Sequence, residues 1–390
     1  MVKKILILCL ILICLMLNLG CWNKVELNER AFVMGVGVDK GENDTVKLTV
    51  QILLPEKVGV PSAGAVGSDS EKPVWVVTST GHTIFDAVRN FVMQSGRKLF
   101  WQYNKIIIIG EEAAWEGILP ILDFFARDHE IRLDNKVLVA RGKALDILNT
   151  DHELEPMSAV SIKDMVEGKK AIGTIVDVTL FDIMGRLTSK SMASIASRIE
   201  LLGSEAEDEK KLRVTGAAVF REDKLAGFLN KPETRGLNWV LGEVVSGIIV
   251  VISPLNPQEN ASIEIIRAGS KVKPEFKDGY FLITVEVNME GNLGEQQSRV
   301  NLVEPERWAS LERRAAEVIE NEIKAALEKA QKEYKTDIFG FGEAIYRKFP
   351  SQWKQIENVW EDLFEQLEID LKINVKLRRT GIITTPVRSE

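Results

Sequence analysis

The feature that most constrains this chain is its beginning: Lys3 and Lys4 precede an unbroken apolar run from Ile5 to Leu17, which closes on Asn18, Leu19, Gly20 and Cys21. A basic start, a short apolar stretch and a small residue before the break are the marks of a secretory signal peptide. The run is shorter than the roughly 20 residues needed to cross a hydrocarbon core, so cleavage is expected in preference to an uncleaved span. Residues 1–20 are set apart from folding on this reading. Cys9 and Cys14 lie in the discarded run, which leaves Cys21 alone in the mature chain. A single cysteine makes no intrachain disulfide, and nothing else in the mature chain binds metal as thiolate.

Removing residues 1–20 takes two of the 50 basic residues and none of the 57 acidic ones, leaving a net charge of −9. Such a surface repels phosphate backbones, which argues against nucleic acid as a partner. Anionic headgroups are repelled as well.

The 390 residues suffice for two or three domains. Three stretches read as linkers or exposed loops. The segment from Glu56 to Pro73, with Pro61, Gly64, Gly67, Ser68, Asp69 and Ser70, has the composition of flexible surface chain. Gly203 to Lys211 is a run of small and charged residues and is expected to be the main domain boundary. Ser253 to Asn260, with Pro254 and Pro257, is expected to divide the second half. The resulting division is a signal peptide 1–20, an N-terminal domain 21–203 with its flexible loop 56–73, a middle domain 212–256, and a C-terminal domain 257–385.

In the first half, Phe32 to Val38 and Thr45 to Leu54 read as a hairpin, with strands also at Val74 to Thr78, Ile106 to Ile109 and Lys136 to Ala140. Helical runs lie between them at Thr83 to Gln94, Glu111 to Arg127 and Lys143 to Leu148. Gly117 and Pro120 interrupt the middle one, predicting a kink or a restart with Pro120 in the first turn. Helices at Ser158 to Glu167 and Asp177 to Leu187 and a strand at Ser194 to Leu201 complete this half. Strands alternating with helices indicate a sheet covered by helices.

The second half opens on a hairpin, Leu212 to Phe220 and Lys224 to Leu229 about the polar turn Arg221 to Asp223. A short helix from about Pro232 stops at Gly242, and a buried strand is expected from Val244 to Ile252. Strand runs follow at Ile263 to Arg267, Lys271 to Phe276 and Tyr280 to Val287. The segment 304–334 is the cleanest helix, with Trp308, Leu311, Ala315, Ile319, Ile323, Ala326, Ala330 and Tyr334 in one stripe. Its polar face mixes Glu312, Arg313, Glu320, Lys324 and Glu328 where a lipid-seeking helix is mostly basic, so packing on its own domain is expected. A further helix is expected from Gln352 to Leu367, and an alternating strand from Ile369 to Leu377.

Catalytic and cofactor signatures are absent from the sequence. Gly35 and Gly37 follow the start of a dinucleotide fingerprint, but Lys40 stands where its third glycine belongs, so a hairpin entry is expected instead. Gly59 and Gly64 have P-loop spacing, yet Ala65 and Val66 occupy the positions of the lysine and hydroxyl residue. His82, His129 and His152 belong to no paired zinc motif, and no serine sits in a Gly-x-Ser-x-Gly elbow. The acidic pair Glu111 and Glu112 stands at a helix start, where carboxylates favour the dipole. Carboxylates converging from distant segments are the remaining route to an enzyme. No catalytic residue, no metal ligand and no cofactor is expected.

Two sets of residues carry a resemblance. Gly20 before Cys21 looks like the lipobox of bacterial prolipoproteins, although Asn18 stands where an aliphatic residue is usual. The chain also resembles, nearly end to end, the Ger(x)C lipoproteins that form the C subunit of spore germinant receptors. The resemblance starts at Cys21-Trp22-Asn23 and Glu26-Leu27-Asn28, passes through the segment from Val33 to Lys40, and continues from Lys105 to Gly110 and from Leu122 to Asp128 with Glu130 and Arg132. Its most specific stretch is Gly216 to Phe220, Asp223 to Leu229 and Glu233-Thr234-Arg235-Gly236-Leu237.

The resemblance implies an α+β, multi-domain fold of mixed sheets, each flanked by helices. It implies a diacylglyceryl group on Cys21, so that acyl chains anchor the protein in the bilayer at about 0.8 kcal/mol per buried methylene. It implies polytopic membrane subunits as partners, a place on the extracytoplasmic side of the spore inner membrane, and a response to small nutrients, with direct nutrient binding by this subunit left open. It carries over no catalytic residue. Glu233 and Arg235 are the candidate partner interface, where a charge pair would set orientation; a helix-start carboxylate and an internal ion pair are the competing structural reading. The alternatives to a receptor subunit are a lipid-anchored solute-binding protein and a cell-wall hydrolase.

Overall fold

The structure, a computed structural model, describes residues 1–7, 26, 29–57, 73–150, 155–203 and 210–380. The acylation site Cys21, most of the signal peptide, the centre of the loop 56–73, His152 and residues 204–209 lie outside the described residues. Among the described residues no helix is long and apolar enough to cross a membrane.

The first sheet has nine strands: β1 Arg30–Lys40, β2 Val46–Leu53, β3 Val74–Gly81, β4 Lys98–Phe100, β5 Ile106–Ile109, β6 Lys136–Ala140, β7 Ile195–Leu202, β8 Lys211–Arg221 and β9 Lys224–Leu229. Their order is β3-β2-β1-β5-β6-β7-β8-β9, with β4 alongside β1. The centre from β1 through β7 is parallel, and antiparallel hairpins extend it on both sides. The run of four isoleucines in β5 is explained by this position. All four are fully buried, because a central parallel strand is covered on both faces. Ile107 and Ile109 enter the core cluster on one side, Ile106 and Ile108 the cluster on the other.

Helices cover both faces: α1 Ile84–Ser95, α2 Glu111–Glu116, α3 Leu119–Arg127, α4 Ala144–Leu148, α5 Ser158–Glu167 and α6 Leu180–Leu187. Thr83 caps α1 by accepting from the Asp86 amide, and Gly96 ends it in the left-handed region. The sequence 111–127 does restart, with Gly117 between α2 and α3 and Pro120 in the first turn of α3. Gly35 and Gly37 lie within β1 rather than in a phosphate turn. A Cβ at Gly35 would stand 2.6 Å from the Ala159 methyl, and one at Gly37 would stand 2.9 Å from that of Ala144. Both glycines therefore let α5 and α4 close on the sheet. Asp39 adds an anchor by accepting from the amides of Ala144 at 2.7 Å and Leu145 at 2.9 Å.

The second sheet runs β10 Gly247–Ile252, β11 Asn260–Lys277, β12 Tyr280–Gln296 and β13 Glu368–Leu377. β13 returns parallel to β12 after a helical excursion through α8 Pro305–Glu328, a π turn Lys329–Tyr334, α9 Phe341–Lys348, α10 Pro350–Ile356 and α11 Trp360–Phe364. Between the sheets, α7 Lys231–Leu241 packs against α8. One continuous apolar core runs through both sheets. The fold is α+β, with two mixed sheets flanked by helices.

Several expectations change. Strand pairing crosses both expected boundaries: Leu202 pairs with Lys211, and Ile252 with Asn260. Strands of one sheet therefore flank each polar run, which composition alone does not distinguish from a linker. Sheet membership changes instead across α7. The expected buried strand is the edge strand β10, and it alternates, with Ile248, Val250 and Ile252 about half exposed. The runs 263–267 and 271–276 are one strand, and β12 continues to Gln296 through a glycine- and asparagine-rich stretch that carries no strand signal. The helix expected over 352–367 is divided into α10 and α11, and α9 before them was not foreseen.

Candidate functional site

Glu233 and Arg235 both point inward. Asn230 caps α7, accepting from the Glu233 amide at 3.0 Å, while the Glu233 carboxylate accepts from the Asn230 amide at 2.7 Å. This reciprocal capping box satisfies two helix-end donors and leaves Glu233 only 8% exposed. Two residues on, Arg235 crosses to α8 and donates through Nε to both carboxylate oxygens of Glu322, at 3.0 and 2.9 Å, and through Nη2 to Oε1. Its Nη1 donates to the Ile248 carbonyl on β10 at 2.8 Å, and Trp239 Nε1 donates to Glu322 at 3.0 Å. The expected partner face is thus an internal joint between α7, α8 and the second sheet. The competing structural reading holds for both residues, because each carboxylate and guanidinium group is taken up by neighbours of the same chain.

The same stretch closes the joint elsewhere. Asn238 donates to the carbonyls of Gly173 and Ile175, and Tyr334 donates to the Phe228 carbonyl at 2.9 Å. Gly227, at φ +157°, lies under the Tyr334 ring, where a Cβ would come within 2.8 Å of the hydroxyl oxygen. The most specific part of the family resemblance is therefore the part that joins the two sheets.

The remaining chemical candidates do not converge. Glu111 accepts from the Gly142 amide at 3.0 Å at the start of α2. His82 and His129 are exposed. Among the described residues no group of three His, Cys, Asp or Glu side chains is placed to hold a metal ion.

A cleft of about 600 Å³ does exist, where α6 and the loop after it meet the turn between β8 and β9 and the segment leading into α11. Arg186 and Asp337 stand in its wall. Arg186 Nη1 donates to the carbonyls of Ala193 at 3.1 Å and Ile338 at 3.4 Å; burial lowers its pKa, against the pull of the Asp337 charge. Asp337 accepts from the amides of Phe339 at 3.0 Å, Gly340 at 2.9 Å and Gly342 at 2.8 Å. Burial nevertheless pushes its carboxyl up to about 6. Lys190 pairs with Glu357 at 3.5 Å, and Arg221 with Glu361 at 2.8 Å. Glu222, Asp223 and Asp362 also line the cleft, and their carboxylates make no hydrogen bond or ion pair among the described residues. These residues come from distant segments, so no local spacing marked them.

Two family models match the chain in order: "Spore germination protein N-terminal domain" over residues 23–201 and "Spore germination B3/ GerAC like, C-terminal" over residues 215–381. Among curated proteins, the chain is similar to spore germination protein A3 of Bacillus subtilis, 30% identical with 97% of this chain and 98% of the relative covered. It is similar also to spore germination protein KC of the same organism, 27% identical with 100% and 99% covered. Among solved structures, the crystal structure of the GerBC protein superposes with a TM-score of 0.54 at 21% identity, covering 89% of this chain and 98% of that one, which shows a shared fold.

Proposed function

The chain belongs to the GerAC-like family of spore germination proteins, and from that membership we propose that it is a non-enzymatic, lipid-anchored subunit of a germinant receptor, held at the extracytoplasmic side of the spore inner membrane. The observation that carries this reading is the end-to-end match to both family models in their order, the first beginning two residues after Cys21. Acyl chains on Cys21 supply the anchor in the proposal, and polytopic membrane subunits of the receptor are the partners. Two carboxylates singled out in the sequence have structural uses that favour the non-enzymatic part: Glu233 holds the Asn230 amide and Glu111 that of Gly142.

Deleting the gene and timing the germination of spores with each nutrient tests the proposal. Slowed or lost response to a subset of nutrients is the expected outcome. Unchanged germination with every nutrient, together with release of peptidoglycan fragments by the purified protein, would move the chain to the hydrolase class; unchanged germination with loss of uptake of a solute would move it to the solute-binding class.

A further inference from the structure

We propose that the end of the first sheet at which β1 begins lies against the lipid bilayer, with Tyr103, Leu133 and Phe181 at headgroup depth, a contact that rests on acylation of Cys21. The strands bring these residues to one end. Arg30 and Phe32 of β1 stand level with Lys98 and Phe100 of β4, and the loop before β6 joins them through Arg30 Nη1, which donates to Glu130 at 3.3 Å. In the same loop the Leu133 carbonyl accepts from the amide of Phe181, in the first turn of α6, at 3.0 Å. Phe32, Phe100 and Tyr103 pack into one cluster with ring centroids 5.7 to 5.9 Å apart. Large apolar side chains are nevertheless left in water here: Phe181 is 68% exposed, Tyr103 51% and Leu133 45%, and Met93 in the last turn of α1 is 80% exposed. Exposed apolar groups gathered in this way mark a contact surface, and aromatic side chains with a polar tip favour the boundary between hydrocarbon and water.

The length of the tether selects the bilayer as the occupant. Nine peptide steps separate Cys21 from Arg30, at most about 30 Å of chain, so this end of the domain stays within that distance of the acyl chains. The β1–β2 turn, at the other end of the eleven-residue β1, lies about 33 Å along the strand from Arg30. Charge does not oppose the contact, although the chain as a whole is acidic. Glu130 is matched by Arg30, Asp134 by Arg132 at 3.2 Å and Asp177 by Lys136 at 2.6 Å. Arg97, Lys98 and Lys105 then equal in number Glu29, Asp128 and Asp182, leaving no excess of acid to repel anionic headgroups.

The experiment reconstitutes the full acylated chain, without partner subunits, in phosphatidylethanolamine and phosphatidylglycerol vesicles carrying brominated acyl chains as quenchers. Acylation occupies the sulfur of Cys21, so a cysteine introduced by Phe181→Cys, Leu133→Cys or, as the far-end control in the β1–β2 turn, Glu42→Cys takes a thiol-reactive fluorophore uniquely. Quenching about threefold or more stronger in the first two variants than in Glu42→Cys is expected, with a blue-shifted emission. Equal quenching in all three variants, or none in the first two while palmitate-labelled protein floats with the vesicles, would overturn the contact and leave the anchor standing. Absence of palmitate label and of flotation would remove the anchor and the contact with it. Shielding of the Phe181→Cys label from aqueous iodide only when the membrane subunits are added would overturn the proposal in favour of a protein occupant.

Discussion

Arg235 lies across the joint from Glu322 with its Nε 3.0 and 2.9 Å from the two carboxylate oxygens, and the two side chains retain only 14% and 9% of their exposure. Removing one partner of such a pair leaves a buried charge without its counter-ion, which costs about 3–5 kcal/mol. Arg235→Ala and Glu322→Gln are each expected to lose about that much in urea denaturation. The double variant Arg235→Met, Glu322→Leu should lose less than the two together, since neither charge is then stranded. A loss below about 1 kcal/mol for either single change would mean the pair behaves as a solvated surface ion pair.

Gly236 tests the same joint sterically. A Cβ there would overlap the backbone carbonyl of Glu322, so α7 and α8 touch through backbone at this point. Helix propensity alone makes Gly→Ala favourable by about 1 kcal/mol. The overlap is with rigid backbone, and overpacking of this kind typically costs about 1–3 kcal/mol. Gly236→Ala should therefore destabilise on balance, read as a lower urea midpoint; a higher midpoint would show that the helices separate freely.

Asp337 sets a pH dependence. Its folded pKa, about 6, is raised above the ordinary 3.8, so between these values the folded chain binds more protons than the unfolded one. The stability contributed by this group is complete below about pH 4 and is lost as the pH rises through 6. The change is on the order of 1–3 kcal/mol. Urea midpoints measured from pH 4 to 7 should show this decline in the parent chain, superposed on other titrations. Asp337→Asn should be less stable throughout, because one oxygen accepting backbone amides is replaced by a donor, and its profile should lack the decline. Parallel profiles for the two proteins would refute the assignment.

The proposed anchoring puts the acyl chains on Cys21, which lies outside the described residues. An acidic domain gains nothing from an acidic bilayer surface, so in the proposed arrangement acyl chains would carry the attachment. Cys21→Ala is expected to release the protein from membranes and abolish labelling by palmitate. Retention of the variant in the membrane pellet of cells lacking the partner subunits would show an uncleaved apolar span.

Deletion of residues 62–70 should change stability by less than about 1 kcal/mol. The ends of the loop are held together by strand pairing, Leu53 with Val74, and by the Leu54 amide donating to the Pro73 carbonyl at 2.8 Å. Closing a shorter loop across paired strands alters entropy only slightly. A large fall in melting temperature would reveal that the segment packs.

The local elements were legible because their signals are local. The isoleucine run of β5, the glycine stop of α7 and the restart at Pro120 are settled by side-chain periodicity and φ preferences within a few residues. The pairing across the polar run is not local: Gly203 to Lys211 has one composition whether or not its flanking strands share a sheet, and only the tertiary structure sets Leu202 beside Lys211, at the place where the two family models meet. Glu233 and Arg235 divide on the same line. The sequence by itself placed Glu233 at a helix start, since that signal lies within a few residues. That Arg235 is spent on Glu322, 87 positions along the chain, was decided by tertiary structure alone: a guanidinium group takes whichever carboxylate the packing of helices brings within reach.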